Sequence, residues 1–190
     1  RRISGMPSRR IVRDSTLRFP PLTSRQVTFL LRVGGKVEQA NQFYHFWEER
    51  KNEMSTETNK AIVRRYFDQV LDNQQPNLAE EFLADKIQLH GSGLAPGLEV
   101  VKGWLAMFAA AFPDGHYAVE DVVAEGDKVV ARTTFNGTHK AELPGIPATG
   151  KAVTLASITI FRLDNGKIAE GWLVSDNLGM MQQLGVIPSP

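Results

Sequence analysis

The sequence predicts an α+β fold in which helices cover one face of a curved antiparallel sheet, so that sheet and helices together make a cone. Two observations carry this. Apolar residues repeat at helical spacing up to Pro113 and alternate with period two after it. Helices therefore come first and strands follow, an order that segregates helices to one face. Asp164-Asn165-Gly166 is a strong hairpin signal between two alternating runs.

The elements follow in order. Thr56 is a candidate helix cap, with Glu57 near the positive end of the dipole. Val63, Tyr66, Phe67, Val70 and Leu71 then form one apolar stripe, and Asn73-Gln74-Gln75-Pro76 ends it. Residues 77–84 read as a short second helix and 86–90 as a strand. The glycine-rich stretch 91–97 leads to a third helix carrying Val100, Val101, Trp104, Leu105, Phe108 and Phe112. Strands are expected at 117–123, 128–139, 153–163 and 167–176. On the second of these Val129, Ala131, Thr133, Phe135 and His139 share a face. Residues 178–184 read as a terminal helical segment closed by Gly185.

Charge divides the chain. Residues 1–53 hold eleven Lys and Arg against five Asp and Glu, and residues 54–190 hold eleven against sixteen. Eight arginines and no lysine precede residue 35, whereas seven lysines and four arginines follow residue 53. We therefore expect a basic extension over 1–53 and a folded domain over 54–190. The extension has three readings: a targeting peptide, a basic arm for nucleic acid, or upstream sequence translated in frame with Met54 as the start. The last is preferred, and no nucleic-acid partner is expected. Residues 37–50 can form an amphipathic helix.

Composition removes several classes of function. No apolar run reaches the ~18 residues of a spanning helix, so no membrane partner is expected and a cytoplasmic location is. There is no cysteine, hence no disulfide framework and no thiol nucleophile. No spacing of His, Asp and Glu suggests a metal site. The string Gly145-Ile146-Pro147-Ala148-Thr149-Gly150-Lys151 lacks the spacing of a phosphate loop, and no helix follows it. It lies in a connection, 140–151, long enough to serve as a lid.

Several strings together resemble the SnoaL-like polyketide cyclase family, within the nuclear transport factor 2-like, ketosteroid isomerase-like fold. They are Gly137-Thr138-His139, Gly145 to Lys151, Asn165-Gly166-Lys167-Ile168, and Trp172-Leu173-Val174-Ser175-Asp176 with Gln183-Leu184-Gly185. The resemblance covers about residues 56–187. It implies a cone-shaped α+β barrel, usually a homodimer, with no cofactor. It also implies a hydrophobic small molecule as ligand or substrate. In the cyclases an acid on the last strand moves a proton, assisted by a histidine on the preceding strand. Overlaying the turn and the Gln-Leu-Gly end puts those groups at Leu173 and Thr159 here. Leucine cannot move a proton, and a threonine hydroxyl is too weak a base.

Other residues are therefore candidates for chemistry. Asp176 is either a general base with a raised pKa or the cap of the helix that follows. His90 is either its acid–base partner, facing the cone if Gln88 does, or a histidine satisfied by backbone. His139 is either a ligand contact or a loop anchor, the anchor preferred. Gln88, Trp104, Phe108, Phe135, Thr159, Trp172 and Leu173 complete the expected lining, with core packing as the alternative for the aromatics. Two functions follow: a cofactor-free acid–base cyclase, isomerase or lyase, or a non-catalytic small-molecule-binding or dimeric scaffold protein. Whether Asp176 and His90 meet in one cavity separates them.

Overall fold

The computed structural model describes His45 and residues 55–188, and apart from His45 these fall in one compact unit. The expected boundary at Met54, the basic extension and the helix at 37–50 lie outside the described residues, His45 excepted. Residue 45 is helical and exposed.

Helix α1, residues 55–65, runs on as a π-helical segment, Tyr66–Asp72. Ser55 and Thr56 are already helical, so Thr56 is not the cap. The wide turns close with Asn73 N–H donating to Asp68 O at 3.0 Å and Gln75 N–H to Val70 O at 3.1 Å. Val63, Tyr66, Phe67 and Val70 are buried, as their spacing predicts. Pro76–Leu78 is a single 3-10 turn, and α2 spans only Ala79–Phe82. The helix expected at 77–84 is thus shorter. Leu83 is extended and buried because it joins strand β1, Leu83–His90, paired against Ile168. Tertiary pairing overrides local helix preference here.

Helix α3, Leu98–Ala111, buries Val101, Leu105, Phe108 and Ala111, while Val100 is exposed. Strands β2 (His116–Glu125), β3 (Lys128–Thr138), β4 (Ala152–Asp164) and β5 (Lys167–Ser175) follow, then α4 (Asn177–Leu184). Asn165 and Gly166 both take positive φ, 49° and 77°, which a type I′ hairpin between β4 and β5 requires. Gly185, at φ 77°, ends α4 in the left-handed conformation.

The sheet order is β1-β5-β4-β3-β2. The sheet is curved and stays open, wrapped on the helices as expected. One expectation is corrected: the sheet is not wholly antiparallel, since β1 pairs with β5 in parallel, while the other three pairings are antiparallel. Hairpins force the antiparallel pairs; β1 reaches β5 through a long crossover, which leaves its direction free. Irregularities at Val119/Asp121 and Arg162/Leu163 add local twist.

Two apolar clusters fill the concave side. The first joins α1, α2 and part of α3 to Ile87, Val129, Ala131, Phe161, Leu163 and Ile168. The second gathers Phe108, Phe112, Phe135, Val153, Met180 and Leu184. Loop 139–151 contributes Leu143 and Ile146 to the second cluster, which anchors it on the core.

Candidate functional site

Alternation along the strands decides which side chains can share a site. On β3, Val129, Ala131, Thr133 and Phe135 are all buried on the concave side, as expected. Directly opposed residues share a face. Thr133 faces Ser157, which faces Ser175; Ala131 faces Thr159, which faces Leu173. Thr159 is buried and Leu173 half-buried. A row of hydroxyls, Thr133–Ser157–Ser175, therefore crosses three strands on a face that is otherwise apolar except for the buried Thr159. The Ser157 and Ser175 Oγ atoms lie 2.8 Å apart in one hydrogen bond. One of the two hydroxyls donates in it, which leaves the proton of the other free to turn elsewhere.

This row lies at the seam between the two clusters. Along β4, Val153 belongs to the second cluster and Phe161 to the first. Leu155 and Ser157 between them stay half-exposed, as do Leu173 and Ser175 on β5. Trp104 packs on both clusters and stacks on Phe108 with centroids 5.0 Å apart. Phe108 and Phe135 are core residues at 5.1 Å from each other. The cavity they border, with Val70, Leu105, Phe112 and Tyr117, holds only about 20 Å³. That is room for about one water, far below the ~300 Å³ of a small ligand chamber. The aromatics thus act as core, and the seam is where the concave face stays accessible.

The expected acid–base couple is not assembled. Ile87 is buried and pairs the cone side, so Gln88 and His90 share the opposite, open face. His90 stacks on Trp172, with centroids 4.9 Å apart and planes 9° apart. Its Nε2 lies 3.2 Å from Glu170 Oε2. Trp172, opposed to Ile160, is likewise on the open face and not beside Leu173 in the cone. Asp176 is exposed and caps α4, its Oδ1 accepting from Gly179 N–H at 2.9 Å. Asp176→Ala should cost about 1 kcal/mol of unfolding free energy and Asp176→Asn much less. Chemical denaturation of the two variants checks this; equal losses would remove the cap assignment.

Sequence reasoning did not single out Glu170 or Arg162. Arg162 donates from Nε and Nη2 to Glu170 Oε1 at 3.0 and 2.6 Å. These bonds, and then the one to His90, hold the Glu170 carboxyl below the ordinary carboxylate range. A lowered folded-state pKa stabilises the fold above the unfolded pKa, and that contribution is lost as pH falls through the folded value. Glu170→Gln should therefore flatten the acid limb of a stability–pH profile, below about pH 4. An unchanged limb would show the pair to be screened out.

Tyr66 is buried and Tyr117 partly so, and loss of solvent around the rings pushes both phenols above their ordinary value, with Tyr66 and then Asp72 adding to the effect at Tyr117. Both phenols therefore stay neutral at neutral pH. Among the described residues no group of three or more His, Asp or Glu is placed to hold a metal ion. No helix among them is long and apolar enough to cross a membrane.

Comparison with known proteins follows the same lines. The family model for SnoaL-like polyketide cyclase matches residues 61–184. TsrD from Streptomyces laurentii is similar, at 28% identity over 67% of this chain and 98% of that one, with a TM-score of 0.62. A SnoaL-like polyketide cyclase from Agrobacterium tumefaciens is 26% identical over 65% of this chain and 95% of that one, TM-score 0.56. A proposed polyketide cyclase from Bacillus cereus is 30% identical over 68% of this chain and 82% of that one, TM-score 0.59. No curated protein matches the chain.

Proposed function

The chain belongs to the SnoaL-like polyketide cyclase family, and on that footing we propose that it binds a hydrophobic small molecule on the concave seam without catalysing the family's aldol closure. One observation carries the proposal: a hydroxyl row, buried at Thr133 and half-exposed at Ser157 and Ser175, set between two apolar clusters and beside Leu173 and Thr159. Apolar walls supply burial, and a few hydroxyls orient a carbonyl or hydroxyl of the ligand. Leu173 and Thr159 hold no proton-transfer group. His90 and Asp176 are each engaged elsewhere, so binding is favoured over acid–base turnover. A thermal-shift screen of apolar ring carbonyls on the full chain tests this. A compound that raises Tm with wild type should lose its effect with Ser157→Val, which removes the hydroxyl and keeps the strand's β-propensity. A shift that survives Ser157→Val sinks the seam as the site.

The open face favours a second copy of the chain as partner. Ile158, Ile160, Trp172 and Val174 are 49, 39, 36 and 75% exposed, side by side on β4 and β5. The ion pairs Arg132–Asp121 and Arg162–Glu170 flank them. A contiguous apolar strip with a charged rim suits a two-fold interface, in which one patch meets its own copy. Light scattering should give twice the mass of one chain for wild type and half of that for Val174→Asp. A wild-type monomer at micromolar concentration would refute the dimer.

A further inference from the structure

His139 is fully buried, and its two ring nitrogens have different fates. It stands just past the end of β3, at the base of loop 139–151. Its backbone N–H donates to Lys151 O at 2.9 Å, and its carbonyl accepts from Gly150 N–H at 2.8 Å. Its Nδ1 accepts from Thr149 N–H at 3.3 Å and lies 3.2 Å from Thr149 Oγ1. This is the anchoring role that the sequence favoured.

A backbone N–H can only donate, so Nδ1 is the bare nitrogen and the proton sits on Nε2. That Nε2 is buried and has no hydrogen-bond partner within the protein. It is the single such side-chain atom among the described residues. The ring lies 5.4 Å from the Phe112 ring at a tilt of 34°. The buried cluster to which Phe112 belongs is apolar. An N–H donor taken from water and left unmade is costly, and native interiors rarely retain one.

We infer that His139 Nε2–H is one half of an internal binding site for a neutral oxygen acceptor, beneath loop 139–151. The chemistry requires a lone pair and little more: a water molecule, or the carbonyl oxygen of a bound apolar ligand. An anion is disfavoured, since the ring carries no charge when Nδ1 accepts from a backbone N–H. The site is independent of the seam on β4 and β5, and it holds whether or not the seam binds anything.

Long-range proton–nitrogen correlation spectra of the full chain, labelled with 15N at histidine, read the ring directly. The expected result is a proton on His139 Nε2 that cross-relaxes with a water resonating inside the protein. Adding 1-tetralone, an apolar ring with one carbonyl, separates the sources. If the contact moves from water to the protons of the tetralone, the oxygen is the ligand's. If it stays on water while tetralone binds or fails to bind elsewhere, the occupant is water, and the seam proposal is judged by its own assay. A proton found on Nδ1 would overturn the inference. So would an Nε2–H shifted upfield by the Phe112 ring with contact to neither water nor tetralone, since the donor would then rest on a π-face.

Discussion

Phe161→Ala should lower the unfolding free energy by about 3–5 kcal/mol, the largest single effect expected in this protein. Phe161 is 4% exposed and meets Tyr66 and Phe67 at centroid distances of 6.2 and 6.0 Å. Its partner across β4–β5 is Gly171, which has no side chain to collapse into the space. The vacated volume therefore stays open, and the cavity cost adds to the lost transfer energy. Phe161→Leu keeps most of the volume and should cost about 1.5 kcal/mol or less. Urea unfolding followed by circular dichroism measures both. Equal losses for Ala and Leu would mean that ring contacts, and not the cavity, carry the effect.

Leu173→Asp puts an acid at the position where the sequence resemblance to the cyclases implies one, yet it should destabilise the fold by about 1–3 kcal/mol and close no ring. Leu173 is half-buried on the concave face opposite Thr159. No residue of the hydroxyl row is cationic, so the new carboxyl has hydroxyls and apolar groups around it and its pKa rises. Without an imidazole at Thr159 no second group takes up the proton. The double change with Thr159→His is the fairer trial. Ring closure of an anthraquinone-type polyketide ester by Leu173→Asp alone would show that one group suffices. Closure by the unaltered protein would show that Leu173 is no obstacle at all.

Local chemistry made much of the fold legible. The four-fold alternation Val129, Ala131, Thr133, Phe135 names the concave face of β3 because a two-sided environment imprints a period of two. Asn165-Gly166 names its hairpin because few residues accept positive φ. The site was less legible, although a signal existed. Ile87 and Leu89 bracket Gln88, and the apolar pair belongs inside, which sends Gln88 and His90 out. The same alternation forbids Trp172 and Leu173 from lining one cavity. His90's partners were hidden for another reason. Glu170, held by Arg162, meets it only through the parallel pairing of β1 with β5, and no local string specifies which strand an isolated edge strand joins. The hydroxyl row is hidden in the same way: Thr133, Ser157 and Ser175 are ordinary residues until two registers align them across three strands.

That parallel pairing also sets an order of events at the ribosome. Strand β1 ends at His90, and its one partner in the sheet among the described residues begins at Lys167. The hairpins β2–β3 and β4–β5 each close locally and can form as soon as they emerge. β1 must wait, with its backbone groups unpaired, until nearly the whole domain has been made. Contacts of such long sequence separation slow folding and lengthen the exposure of unpaired edges. A nascent chain arrested before Lys167 should thus be protease-sensitive through β1 while already protected in β2–β3, and release of the last strand should protect both.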